Sequence, residues 1–174
     1  MQERHKKRER YFDEQALTTS RYVIPYLEAI RKLTDKTEVL EIGCGEGGNI
    51  KPFLDSGSKV TGVDILETKI TNAEKFFEKH PKRDNLSLIA SDIYDPPSNL
   101  DRQFDIIFMR DVLEHIHNQE KFMNYVKRFL KPDGMFFLGF PPWQNPFGGH
   151  QQMCHSKFLS KLPWFHLLPG KLYP

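Results

Sequence analysis

The ten residues Val39-Leu40-Glu41-Ile42-Gly43-Cys44-Gly45-Glu46-Gly47-Gly48 limit most what this chain can fold into. The first half runs apolar like a buried strand, and the second half is a glycine turn that predicts a helix beginning near Asn49. A strand, a loop and a helix in that order form the opening unit of an α/β sheet. Gly43, Gly45 and Gly47 carry no Cβ, so the backbone is free to adopt positive φ and a ligand is expected to lie directly against the loop.

Two kinds of ligand compete for such a loop, because Gly43-x-Gly45-x-x-Gly48 also satisfies the dinucleotide pattern. The carboxylate of Glu41, two residues before the first glycine, discriminates between them. It would repel a pyrophosphate and attract a ligand carrying an ammonium and a sulfonium. In this stretch the chain closely resembles the class I S-adenosylmethionine-dependent methyltransferases, whose first motif, acidic-x-Gly-x-Gly-x-Gly, stands here as Glu41 to Gly47. The resemblance implies a Rossmann-like fold, S-adenosyl-L-methionine as cofactor and S-adenosyl-L-homocysteine as product. It also implies a cofactor cradle built from Glu41, Gly43, Cys44, Gly45 and Gly47.

At 174 residues the chain has room for one sizeable core. A net charge of +2 from nearly balanced acids and bases gives no general nucleic-acid signature. Cys44 and Cys154 have no metal-type spacing and no disulfide framework, so a reducing, cytoplasmic compartment is the expectation, with no metal. The charged amino terminus lacks the apolar stretch of a secretory signal, and no apolar run approaches the roughly 20 residues a membrane helix needs.

Residues 1–38 read as a helical cap. Arg4, Lys6, Lys7, Arg8 and Arg10 form a solvated basic start, and Tyr22, Tyr26, Ile30 and Leu33 recur at spacings of three and four as one apolar stripe. Pro25 should kink this helix or start its second half. By the resemblance, Tyr11, Phe12, Arg21 and Tyr22 are lid candidates; ordinary packing is the alternative.

Residues 39–140 read as the cofactor-binding core. A helix with Ile50, Phe53 and Leu54 ends at Gly57, and a strand from Lys59 ends on Asp64-Ile65. Asp64 stands about 20 residues beyond the loop, where an acid at the next strand end accepts ribose hydroxyls, and Ile65 offers an apolar surface to adenine. A helix over 67–80 carries Ile70, Ala73, Phe76 and Phe77, and Leu86 to Ala90 is a third strand. By the resemblance, Asp92 accepts the adenine amine and the Ile93 amide donates to the ring; an Asx turn is the alternative for Asp92. A fourth strand, Phe104 to Met109, delivers Arg110 and Asp111 to its carboxyl end, where open α/β sheets bind ligands. Phe104-Asp105-x-Ile107 followed by Val112-Leu113-Glu114-His115 is a second match to the family. Asn118 caps a helix with Phe122, Val126, Phe129 and Leu130 inward, and Lys131-Pro132-Asp133-Gly134 turns into a fifth strand, Met135 to Phe140.

The expected architecture is a three-layer α/β fold with a mostly parallel sheet and right-handed crossovers. It lacks or truncates the last two strands of the seven-stranded family, as a piece of a longer chain or as a five-stranded variant. Residues 141–174 read as an acceptor-side loop and an apolar tail of the same domain. In this tail Phe158, Leu162, Trp164 and Phe165 could support a homodimer.

Methyl transfer from a sulfonium depends chiefly on holding the acceptor close and aligned. A hydroxyl acceptor also benefits from a base. His150, in the Gly148-Gly149-His150-Gln151-Gln152 loop, is the first candidate and His115 the second. The expected reaction moves a methyl group to a small-molecule, saccharide or lipid-intermediate acceptor. A non-catalytic cofactor-binding module and a nicotinamide-dependent oxidoreductase are the alternatives.

Overall fold

The computed structural model describes residues 7–100, 102–142, 144–146, 156 and 158–168. Helix α1 (Arg8–Thr18) leads through one π-helical turn (Thr19–Val23) into α2 (Ile24–Glu28). Then follow β1 (Glu38–Ile42), α3 (Ile50–Asp55), β2 (Lys59–Asp64), α4 (Glu67–Phe77), β3 (Leu86–Ala90), β4 (Phe104–Arg110), α5 (Gln119–Val126) and β5 (Leu130–Gly139). The sheet order is β3-β2-β1-β4-β5, and β1 pairs in parallel with both β2 and β4, as β2 does with β3. The chain therefore reverses its direction of travel across the sheet between β1 and β4. In open α/β sheets that crevice is where ligands bind.

Strand alternation sends Val39, Val60, Ile106 and Phe108 to one face and Leu40, Val63, Ile107 and Met109 to the other. The first face is covered by α1 to α4 through Phe12, Val23, Leu27, Ile50, Phe53, Ile70 and Phe77. The second is covered by Phe122, Val126 and Phe129 of α5 and the turn after it. Two separately filled cores around one sheet make the three expected layers. Gly57 ends the α3 segment at φ +101°, and the Asn118 side chain accepts from the Lys121 amide at 3.1 Å, both as the sequence suggests.

Two expectations are corrected. Tyr22, Tyr26 and Ile30 are exposed, and the buried residues are Val23 and Leu27. Pro25 has no N–H to donate to Arg21, and the turn ahead of it opens to an i→i−5 bond from the Ile24 amide to the Thr19 carbonyl. The inserted residue moves the inward stripe on by one position. β5 also begins at Leu130 rather than Met135, with the Lys131-Pro132-Asp133-Gly134 stretch inside the strand. Ion pairs hold that stretch beside the sheet: Lys131 Nζ lies 3.0 Å from Asp105 and 3.2 Å from Glu38, and Arg31 reaches Asp133 at 2.9 Å. A proline is tolerated there because β5 ends the sheet order.

The chain divides into two compact units, one ending at Leu138 and one beginning at Gly139. The helical segment ahead of β1 belongs to the first unit and does not form a separate body. Among the described residues no strand follows β5. In the second unit, the Trp164 amide and indole N–H donate to the Pro146 and Gln144 carbonyls. Among the described residues no helix is long and apolar enough to cross a membrane.

Candidate cofactor site

The glycine loop leaves the carboxyl end of β1, at the switch point. Gly43, Gly45 and Gly47 all have positive φ, at +71°, +55° and +86°. Their missing side chains serve different ends. A Cβ on Gly43 would lie 2.4 Å from Val112 Cγ2, and one on Gly47 would lie 2.7 Å from the Phe77 ring. Those two positions are packing constraints. A Cβ on Gly45 meets nothing within 4 Å, so Gly45 alone of the three opens onto space. At Gly48 a Cβ would lie 2.7 Å from the Phe12 carbonyl oxygen, so this glycine admits α1 and not a ligand.

Asp64 ends β2 beside that opening. Its Oδ2 accepts from the Gly45 amide at 2.8 Å and its Oδ1 from the Leu66 amide at 2.9 Å, so one carboxylate ties the loop to the β2 end. Each oxygen keeps a second lone pair for another donor. Ile65, 69% exposed, presents bare apolar surface next to it.

Glu41 differs from the sequence expectation. The carboxyl is buried within β1 and does not stand out beside the loop. Asn49 Nδ2 donates to its Oε1 at 3.0 Å, while Oε2 has no partner. Burial pushes the carboxyl from its ordinary 4.5 up to about 8, and the Asn49 bond and the nearby Arg110 charge offset this only in part. Burial thus favours the protonated form of Glu41 up to about pH 8. An orphaned buried carboxyl oxygen is a costly feature that an ammonium donor would satisfy. Burial likewise pushes the Cys44 thiol up, so this buried residue serves as a small apolar filler and not as a nucleophile.

The other expected residues fall into three groups. Arg110 and Asp111 stand at the β4 end, Arg110 Nη1 lying 3.4 Å from Asn49 Oδ1 and its Nε 3.4 Å from Asp111 Oδ2. Asp111 has φ +56°, a left-handed conformation uncommon outside glycine that aspartate tolerates better than most residues. Asp92 does form the Asx turn, accepting from the Tyr94 amide at 2.9 Å, and the Ile93 side chain is buried in the core. His115 is exposed in the turn after β4. His150, like Trp143, Phe147, Cys154 and His155, lies outside the described residues.

Sequence reasoning missed three groups that complete the site. Asn49 bridges Glu41 and Arg110, and its place directly after the glycines was the available signal. Glu46, buried within the loop, takes Lys69 at 3.3 Å, Asn72 at 3.2 Å and Arg8 at 3.6 Å. Thr19 reaches Asn49 from 30 residues upstream, and nothing in the local sequence marks it.

A doubly wound parallel sheet whose glycine loop leaves β1 at the switch point defines an α/β protein of the Rossmann-like class. A profile of the methyltransferase domain matches residues 40–138, more than half of the chain. The ubiquinone biosynthesis O-methyltransferase of Bartonella tribocorum is 33% identical over 105 residues, covering 60% of this chain and 41% of the relative. A sterol 4-C-methyltransferase of Caenorhabditis elegans is 32% identical over 107 residues, covering 62% and 32%. Among solved structures, PKMT2 from Rickettsia typhi in complex with AdoHcy superposes with a TM-score of 0.58 at 30% identity, covering 69% of this chain and 25% of that one. The chain belongs to the class I S-adenosylmethionine-dependent methyltransferase family. It spans less than half the length of these relatives.

Proposed function

We propose that this protein binds S-adenosylmethionine at the Gly45 opening and moves its methyl group to a small-molecule or lipid-intermediate acceptor. The carrying observation is the pairing of one open glycine with two carboxylates, Asp64 hydrogen-bonded to that glycine's own amide and Glu41 holding an orphaned oxygen. When bound, the cofactor supplies a methyl group already activated by the sulfonium charge. The chain supplies binding and alignment. Asp64 offers its remaining lone pairs to the ribose hydroxyls, Ile65 its exposed face to adenine, and Asp92 with the Ile93 amide the edge of that ring. Glu41 receives the ammonium of the amino-acid end, and Arg110 and Asp111 border the same end from β4. A pyrophosphate would meet the Asp64 carboxylate, and the one cation on this side, Arg110, is already engaged with Asn49 and Asp111, which disfavours the nicotinamide alternative.

The relatives' names, ubiquinone biosynthesis and sterol methylation, favour a lipid intermediate over a saccharide. A panel of phenol or quinol, sterol and saccharide acceptors with a labelled methyl donor tests this reading, and transfer to saccharides alone would overturn it. Cofactor binding without transfer to any class would instead support a binding module. With an acceptor in hand, His150→Ala is expected to lower the transfer rate by about 10²-fold, the usual contribution of a general base, with cofactor affinity unchanged. Near-normal turnover would move the base role to His115 or remove it.

Asp64→Ala should weaken S-adenosylhomocysteine binding by roughly 1 to 3 kcal/mol, the scale of charge-assisted hydrogen bonds. Calorimetric titration reads this directly. The Gly45 amide also loses its acceptor in that variant. Asp64→Asn retains one acceptor oxygen and should fall between the two. Unchanged affinity in both variants would take Asp64 out of the site.

A further inference from the structure

The segment ahead of β1 meets the glycine loop along its length. Arg8 approaches Glu46, the Phe12 carbonyl and Gln15 back onto Gly48, and Thr19 reaches Asn49. The last contact has the most specific chemistry. Thr19 is fully buried within the π-helical turn, and its hydroxyl donates to Asn49 Oδ1 at 2.8 Å. Arg110 Nη1 addresses the same oxygen from β4 at 3.4 Å. A carboxamide has one acceptor end and one donor end. With two donors on its oxygen, Asn49 must turn its NH₂ toward Glu41 Oε1, leaving Oε2 as the orphan. A flipped amide would set its NH₂ against the Arg110 guanidinium, donor against donor.

We propose that Thr19 is a positioning residue: through Asn49 it fixes which oxygen of Glu41 is offered to the ligand, and so couples the seating of the N-terminal helix to cofactor binding. This rests on the cofactor reading above. Among the described residues the groups that face Glu41 are Asn49, the Arg110 cation, the Asp64 carboxylate and the Cys44 thiol, and of these Asn49 is the one held by a side chain from the N-terminal segment. The π turn is part of the device. Its extra residue carries Thr19 and Val23 to the buried side together, and the Pro25 that requires this turn stands two residues later.

The test is hydrogen exchange with and without S-adenosylhomocysteine, on the wild type, Thr19→Val and Thr19→Ser. In the wild type the ligand is expected to slow exchange both in the glycine loop and across residues 8–28, by about tenfold or more in the latter. Thr19→Val keeps the side-chain volume but loses the hydroxyl. It should bind the ligand about tenfold more weakly, the scale of one buried hydrogen bond, and protect the loop without protecting 8–28. Thr19→Ser should restore both effects, which a purely packing role for the threonine methyl would not. Equal protection of 8–28 in Thr19→Val, or a wild type whose loop is protected while 8–28 is not, would overturn the proposal. The wild-type comparison stands even where Thr19→Val fails to fold. A wild type protected nowhere by the ligand would overturn the cofactor reading and this proposal with it.

Discussion

The Gly45→Val protein is expected to show no measurable binding of S-adenosylhomocysteine while remaining folded. Space beside Gly45 is open, so the added side chain meets no protein atom within 4 Å at its Cβ. The cost to the fold is conformational. A residue at φ +55° loses about 1 to 2 kcal/mol when it gains a Cβ, more when that Cβ is branched. Most domains of this size tolerate such a loss. The ligand, in contrast, would have to occupy the volume the valine now fills. Gly43→Ala and Gly47→Ala should behave in the opposite way, because their side chains strike Val112 and Phe77. For these two, thermal stability should fall before affinity does. Calorimetry and thermal unfolding on the three variants check the pattern, and a Gly45→Val protein that binds normally would remove the opening from the site.

Glu41→Gln should change the pH dependence of stability. The folded carboxyl holds its proton up to about pH 8, whereas the unfolded one releases it near 4.5. Between these values the folded state binds more protons, so stability falls as pH rises through the window, is full below it and levels off above it. The loss from this group is on the order of a few kcal/mol. Glutamine keeps the shape and cannot ionise, so the variant should lack this slope and be more stable than the wild type at pH 8. Its affinity for S-adenosylhomocysteine should drop by about 10²-fold, since the ammonium loses its counter-charge. The wild type should also release close to one proton on binding at pH 7, read by titrating in buffers of different ionisation enthalpy. Denaturation at pH 5 and pH 8 decides the first point. Parallel pH profiles for the two proteins would show that Glu41 is not the buried acid described.

Much of the fold was legible because its signals are local. The β3 strand lies where its apolar run begins and ends, and Gly57 stops α3 as a left-handed residue should. The parallel sheet with helices on both faces follows from the alternation of strands and helices together with the resemblance. The misplaced elements depend on contacts from afar. Pro25 announced a break but not that a π turn would advance the buried stripe from Tyr22 and Tyr26 to Val23 and Leu27. β5 starts early because Lys131 and Asp133 find partners on β1, β4 and the segment before β1.

At the site, residue types were legible and their environments were not. The sequence placed a carboxylate at Glu41, yet burial pushes its pKa up to about 8, and its one hydrogen bond from Asn49 offsets that only in part. The three glycines had the positive φ expected of them, but Val112 and Phe77, distant in sequence, decide which of them has open space at its side-chain position. Thr19 had no local pattern at all. Its role exists only because the helix returns to the loop.

The most direct test of the account is a calorimetric titration of the protein with S-adenosylhomocysteine and, separately, with NAD. The account predicts saturable binding of one S-adenosylhomocysteine per chain, lost in Gly45→Val, and no binding of NAD at the same concentrations. Saturable NAD binding, or no heat with S-adenosylhomocysteine, would contradict it.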